Sequence, residues 1–133
     1  MSTRAIATFE NLSENQTPYD TPDEGPTLFR ATIQRRFQGD LIGESVAELL
    51  VCPSAPDQVG YVGADRFVGR LGERAGSFVF QHGGAIERGV LRPFGYIVPG
   101  SGTGDLRGLR GEASISVTSA GAHTLTLDYD FAA

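Results

Sequence analysis

Hydrophobic and polar residues alternate with period two along most of this chain, and no ten-residue stretch carries a helical period. Alternation of that kind, with aromatic and β-branched residues, is the signature of strands with two different faces. Arg4 to Leu12 sets Ala5, Ala7 and Phe9 against Ile6, Thr8 and Glu10 and predicts a first strand. Thr27 to Gln38 predicts a second, with Phe29, Ala31, Ile33, Arg35 and Phe37 on one face. Leu41 to Cys52 predicts a third. Two arms follow, Tyr61 to Leu71 and Gly76 to His82, joined by a turn centred on Glu73 and Arg74. Val90 to Val98, Gly111 to Thr118 and His123 to Phe131 complete eight strands. Pro93 marks its strand as an edge or a bulge, because proline cannot donate to a ladder; which of its faces points inward stays open.

The connections carry their own signals. Residues 13–25, polar and broken by two prolines, predict a long loop, either a solvated excursion or a lid. Gly39-Asp40 reads as a two-residue hairpin turn, residues 53–60 as a loop, and Gly83-Gly84 as a strand break. Residues 99–111 are rich in glycine, but no helix follows to complete a phosphate cradle, so they predict a crossing between strands. An eight-stranded, mostly antiparallel sheet of this length closes most naturally into a barrel, which removes unpaired edges.

These registers bring chemistry together. The central hairpin places Asp65 opposite His82 and Phe67 opposite Phe80, on a face that also carries Tyr61 and Phe78. The Gly39-Asp40 turn pairs Arg35 with Glu44 and turns Ile42, Glu44, Val46, Glu48 and Leu50 inward. Two carboxylates on an otherwise apolar face are unexpected. Pairing Cys52 with Tyr61 then sets Glu48, Asp65 and His82 in one row across three strands, where two carboxylates and an imidazole would be strongly coupled. Those three are the candidate acid–base residues; Tyr61, Phe67, Phe78, Phe80 and Arg35 are the candidate substrate-binding residues. A one-residue slip in any of these registers would move the groups to opposite faces.

Composition narrows the options. One domain is expected over residues 1–133. Eleven basic against sixteen acidic residues give a net charge of −5, which argues against nucleic acid as a partner. A lone Cys52 excludes an internal disulfide and a cysteine-based zinc cluster. Metal binding is the weakest reading, no cofactor is expected, and no apolar run reaches membrane-spanning length. Met1 to Arg4 leads directly into a strand with no signal-peptide pattern, so a cytoplasmic protein is the expectation.

Several segments are familiar in order: A-T-F-E at 7–10, F-Q-G-D-L at 37–41, A-E-L-L at 47–50 and Y-V-G-A-D-R-F at 61–67. G-S-F-V-F-Q-H at 76–82, V-P-G-S-G-T-G-D-L-R-G-L-R-G-E at 98–112 and L-D-Y-D-F at 127–131 continue the pattern. Together they resemble a bacterial domain-of-unknown-function family with the allene-oxide-cyclase-like barrel. That resemblance implies an all-β, calyx-like barrel with an interior cavity, and no catalytic residue of the plant cyclases can be placed on this chain. Residues and resemblance together lead to one expectation, an apolar small molecule bound inside the barrel, with the acid–base cluster serving an isomerisation or cyclisation. The alternatives are a non-catalytic carrier and a homo-oligomer built through exposed faces.

Overall fold

The computed structural model describes residues 2–118 and 120–133; Met1, at the head of the stretch expected to enter a strand directly, lies outside them. Its strands are β1 Thr3–Asp20, β2 Leu28–Gly39, β3 Leu41–Ala55, β4 Gln58–Leu71, β5 Arg74–Glu87, β6 Val90–Ile97, β7 Leu109–Val117 and β8 His123–Phe131. Each strand pairs antiparallel with the next, and β1 pairs with β8 to close the barrel. The expected all-β, eight-stranded barrel is therefore found. Inward positions of the alternating pattern supply the core, with Phe37, Phe67, Phe78, Phe80, Leu41, Ile97, Leu125 and Leu127 all fully buried.

Several connections differ from the sequence reading. Residues 13–20 are not a loop but the continuation of β1, paired with β2 from Ser13–Gln34 to Asp20–Leu28. The ladder along β2 overrides the low strand propensity of this polar stretch. Beyond Phe9 the other side of β1 has no partner among the described residues, which is where Pro18 can be tolerated. The 53–60 loop shrinks to a turn at Pro56 and Asp57. Gly83 and Gly84 do not break β5: the Phe94 ring on β6 lies over Gly83, where a Cβ would come within 2.7 Å of it. On β6, Gly95 and Ile97 face inward while Phe94 and Tyr96 are exposed. The β6–β7 ladder consists of Tyr96–Glu112 and Ile97–Gly111, so Pro93, paired with Gly84 on β5, has no partner on its β7 side among the described residues.

The most consequential difference is at Asp40. Its backbone N–H donates to the Ile6 carbonyl at 3.1 Å, its carboxylate accepts from the Ile6 N–H at 2.9 Å, and its carbonyl accepts from the Gly72 N–H. Asp40 thus belongs to a corner joining β1, β2 and the β4–β5 turn, not to a two-residue hairpin. The pairing becomes Phe37–Gly43, Arg35–Ser45 and Thr32–Glu48, one residue from the expected register. That slip exchanges the faces of β3. Leu41, Ser45, Ala47 and Leu49 point inward, and Ile42, Glu44, Val46, Glu48 and Leu50 point out. The β3–β4 register also moves by one, to Cys52–Gly60 and Ala47–Asp65.

One end of the barrel is sealed. The crossing from β6 to β7 makes one 3-10 turn, Gly104–Leu106, and inserts a fully buried Leu106 beside Leu109 and Leu71. Above this plug, Gly43 and Gly69 face each other across β3 and β4. A Cβ on either would come within 3.0 Å of the Phe67 ring and closer still to backbone, so the bare backbone there makes room for that ring.

Candidate functional site

Halfway up the barrel, four polar side chains interrupt the apolar interior: Arg35 from β2, Ser45 from β3, Asp65 from β4 and His82 from β5, each at most 4% exposed. The β4–β5 hairpin turns at Gly72 and Glu73, two residues from the expected register, so Phe80 faces Asp65 and Gly63 faces His82. A two-residue shift keeps every side chain on its face. Because barrel strands are tilted, a horizontal ring of side chains runs diagonally through the register, and the diagonal joins the four residues.

Asp65 is the hub. Its Oδ1 lies 2.7 Å from His82 Nε2, and its Oδ2 accepts from Ser45 Oγ at 2.7 Å. Arg35 Nε stands 3.2 Å from Oδ2, an ion pair, but is not aligned to donate and has no hydrogen-bond partner. As a carboxylate accepts, the hydrogen on that edge of His82 sits on Nε2; Nδ1, also buried, meets no partner. The Arg35 guanidinium carbon lies 5.0 Å from the centre of the Phe9 ring, a cation–π contact that holds its plane.

Above the cluster the barrel opens. A cleft of about 230 Å³ descends from the unsealed end onto Arg35, walled by Phe9, Ile33, Leu49, Tyr61, Ile115 and His123. His123 stacks on Phe9 with ring centres 5.3 Å apart. Tyr61 packs edge-on against His82. Burial pushes its phenol pKa above the ordinary tyrosine value; nearby Arg35 lowers it and Asp65 raises it by smaller amounts.

The expected acid–base triplet is only partly assembled. Asp65 and His82 meet, but Glu48 stands on the outer face, where Arg30 Nε and Thr32 Oγ1 both donate to it at about 3.1 Å. Those hydrogen bonds, Arg30 first, hold its pKa below the usual glutamate value. Glu48 and His82 border one outer cleft of about 510 Å³, yet the His82 side chain is only 1% exposed there. Among the expected binding residues, Arg35 and Tyr61 reach the mouth cleft, whereas Phe67, Phe78 and Phe80 are fully enclosed in the packed core. Ser45, Phe9 and His123 were missed. The signal for Ser45 was present: a register that buries two glutamates on β3 is itself improbable, and the alternative register buries Ser45.

Among the described residues, no group of three or more His, Cys, Asp and Glu gathers to hold a metal ion, and no helix is long and apolar enough to cross a membrane. Fold and site together define a small antiparallel β-barrel, sealed at one end, with a polar cluster buried beneath an open mouth. The chain belongs to the family described as protein of unknown function (DUF3224), whose model matches residues 5–129. It is similar to a solved structure, that of a protein with unknown function from the DUF3224 family of Shewanella oneidensis MR-1. The two share 31% sequence identity over 100% of this chain and 99% of the other, with a TM-score of 0.85. No curated protein matches the chain, and neither the matched family nor that structure bears an allene-oxide-cyclase name.

Proposed function

We propose that this protein binds a small molecule with an apolar body in the mouth of its barrel. The observation that carries the reading is the mouth cleft itself, an apolar-walled opening that ends on a buried, charged Arg35. Ligand sites are typically concave, mostly apolar and equipped with a few convergent polar groups, and this cleft has that character. Larger clefts exist on the outer surface, but of the buried polar cluster only His82 borders one of them, with its side chain 1% exposed. Titration of the isotope-labelled protein with indole tests the reading. Amide shifts should cluster at Ile33, Leu49, Tyr61 and His123; shifts confined to Leu50, Val62 and Phe94 on the outside, or none at all, would refute it.

The carrier form of this reading is favoured over an isomerase or cyclase. Asp65 and His82 are sealed below the cleft, and the groups that line it are Arg35, Tyr61 and His123. In the carrier form Asp65 and His82 act as positioning residues for Arg35. The orphaned His82 Nδ1 is the observation on the catalytic side, since a buried imidazole with one nitrogen unused is a proton acceptor within reach of a carboxylate.

The outer face supports a second association, between copies of the chain. Ile42, Val46, Leu50, Val62, Val68 and Phe94 are all about half exposed, on faces that an isolated barrel would turn to water. Among them Arg66 and Arg70 take part in no ion pair among the described residues. On a chain of net charge −5, such arginines are complementary to the acidic surface of a second copy. Sedimentation should show a dimer that Val62→Glu converts to monomer; a monomeric wild type at high concentration would dismiss this association.

A further inference from the structure

We infer that the ligand of the mouth carries a carboxylate, and that the Arg35 guanidinium takes it. This rests on the mouth-binding reading and specifies its chemistry. A guanidinium presents five N–H donors in a fixed planar fork, yet no hydrogen bond among the described residues uses that of Arg35. Nε is fully buried without a hydrogen-bond partner, and the terminal nitrogens of this 5% exposed side chain keep only solvent contact. The terminal donors are thus free of protein acceptors among the described residues, and a charged acceptor delivered through the cleft would make the stronger, charge-assisted kind of hydrogen bond with them.

The surroundings prepare Arg35 for an anion. Asp65 sits beside Nε and neutralises the charge in the apo protein, but its oxygens are already engaged by Ser45 and His82. It therefore fixes the guanidinium without using its fork. Phe9 holds the plane from one side. Arg35 lines the cleft, where its titratable neighbours are Glu14, Tyr61 and His123. Glu14 belongs to the protruding part of β1, is exposed and makes no ion pair with Arg35. Among the described residues, no carboxylate other than Asp65 pairs with Arg35. A planar carboxylate matches the fork with two parallel hydrogen bonds, which an ammonium-type cation could not offer.

The rest of the ligand follows from the walls. Phe9, Ile33, Leu49, Tyr61 and Ile115 accept an apolar, flat or branched body, and about 230 Å³ is below the usual range for drug-sized ligands. The class is therefore a small aryl or branched-chain monocarboxylic acid.

Phenylacetate and its uncharged isostere phenylacetamide separate this inference from the reading beneath it. Calorimetric titration of the full chain should show the acid binding about tenfold or more tightly than the amide. In Arg35→Lys, which keeps the charge and loses the fork, that preference should fall to about threefold or less. A measurement on the wild type needs no variant: the Arg35 Nε–H resonance should move on adding phenylacetate and stay in place with phenylacetamide. Equal affinity of acid and amide, both mapping to the mouth, would overturn the carboxylate while leaving the mouth site standing. Failure of acid, amide and indole alike to reach the mouth would overturn both.

Discussion

His82 and Asp65 share a 2.7 Å contact although neither faces the other across the β4–β5 ladder. The contact is diagonal, and it draws Ser45 and Arg35 into the same buried ring. Removing one partner of a buried pair leaves the other charge unpaired, at a cost of about 3–5 kcal/mol. Asp65→Asn should show a loss of that size in urea denaturation. Adding Arg35→Met should restore part of it, since the isolated guanidinium is what the single variant strands. A double variant less stable than Asp65→Asn by the full cost of a second independent lesion would mean that the two side chains are not coupled.

Glu48 should behave as a surface residue. Its partners Arg30 and Thr32 stand with it on the outer face, and exposed ion pairs contribute about 1 kcal/mol or less. Glu48→Gln should therefore leave stability within about that margin and leave binding of indole unchanged. A strong effect on binding would restore Glu48 to the site.

Phe80 is enclosed on all sides, with His82 and Phe78 as ring neighbours. Truncating such a ring to alanine costs about 3–5 kcal/mol, and thermal or urea unfolding of Phe80→Ala should register a loss in that range. A loss below about 1 kcal/mol would reveal an open cavity where the structure has packed core.

Tyr61 gives the alkaline limb of stability its shape. Burial raises its phenol pKa above the ordinary value of 10.0. The folded state therefore holds the phenol proton more tightly than the unfolded chain does. Its contribution is complete below the unfolded value and declines as pH rises through the folded one. Tyr61→Phe should flatten the fall of stability in that alkaline window and remove a late phenolate transition from the ultraviolet titration. Amplitude lost at the ordinary tyrosine value instead would place Tyr61 in water.

The barrel was legible because alternation survives wherever one face is buried, and the inward faces of β1, β2, β4 and β5 follow from that pattern alone. The face of β3 did not follow. Its outer side carries Ile42, Val46 and Leu50 beside Glu44 and Glu48, while its inner side carries Leu41, Ala47 and Leu49 beside Gly43 and Ser45, so bulky apolar residues stand on both faces. Apolar residues alone then leave the face undecided: the two glutamates favour the observed register, and the tertiary hydrogen bonds of Asp40 to Ile6 and Gly72 fix it. The extension of β1 was hidden for a related reason: its stability comes from pairing with β2, which leaves no mark in its own polar sequence. Asp65 and His82 remained recognisable because an even register error preserves faces. Glu48 was misplaced because an odd one exchanges them.

The central claim, an open mouth ending on Arg35 above a packed base, is tested most directly at Val59. This half-buried residue lines the mouth, and a larger side chain there enters the cleft. Indole affinity should be compared between wild type and Val59→Phe, with unfolding measured in parallel. Stability within about 1 kcal/mol of wild type, below the usual cost of overpacking a filled core, together with loss of indole binding, is the predicted result. Indole binding that survives the substitution unchanged would contradict the account.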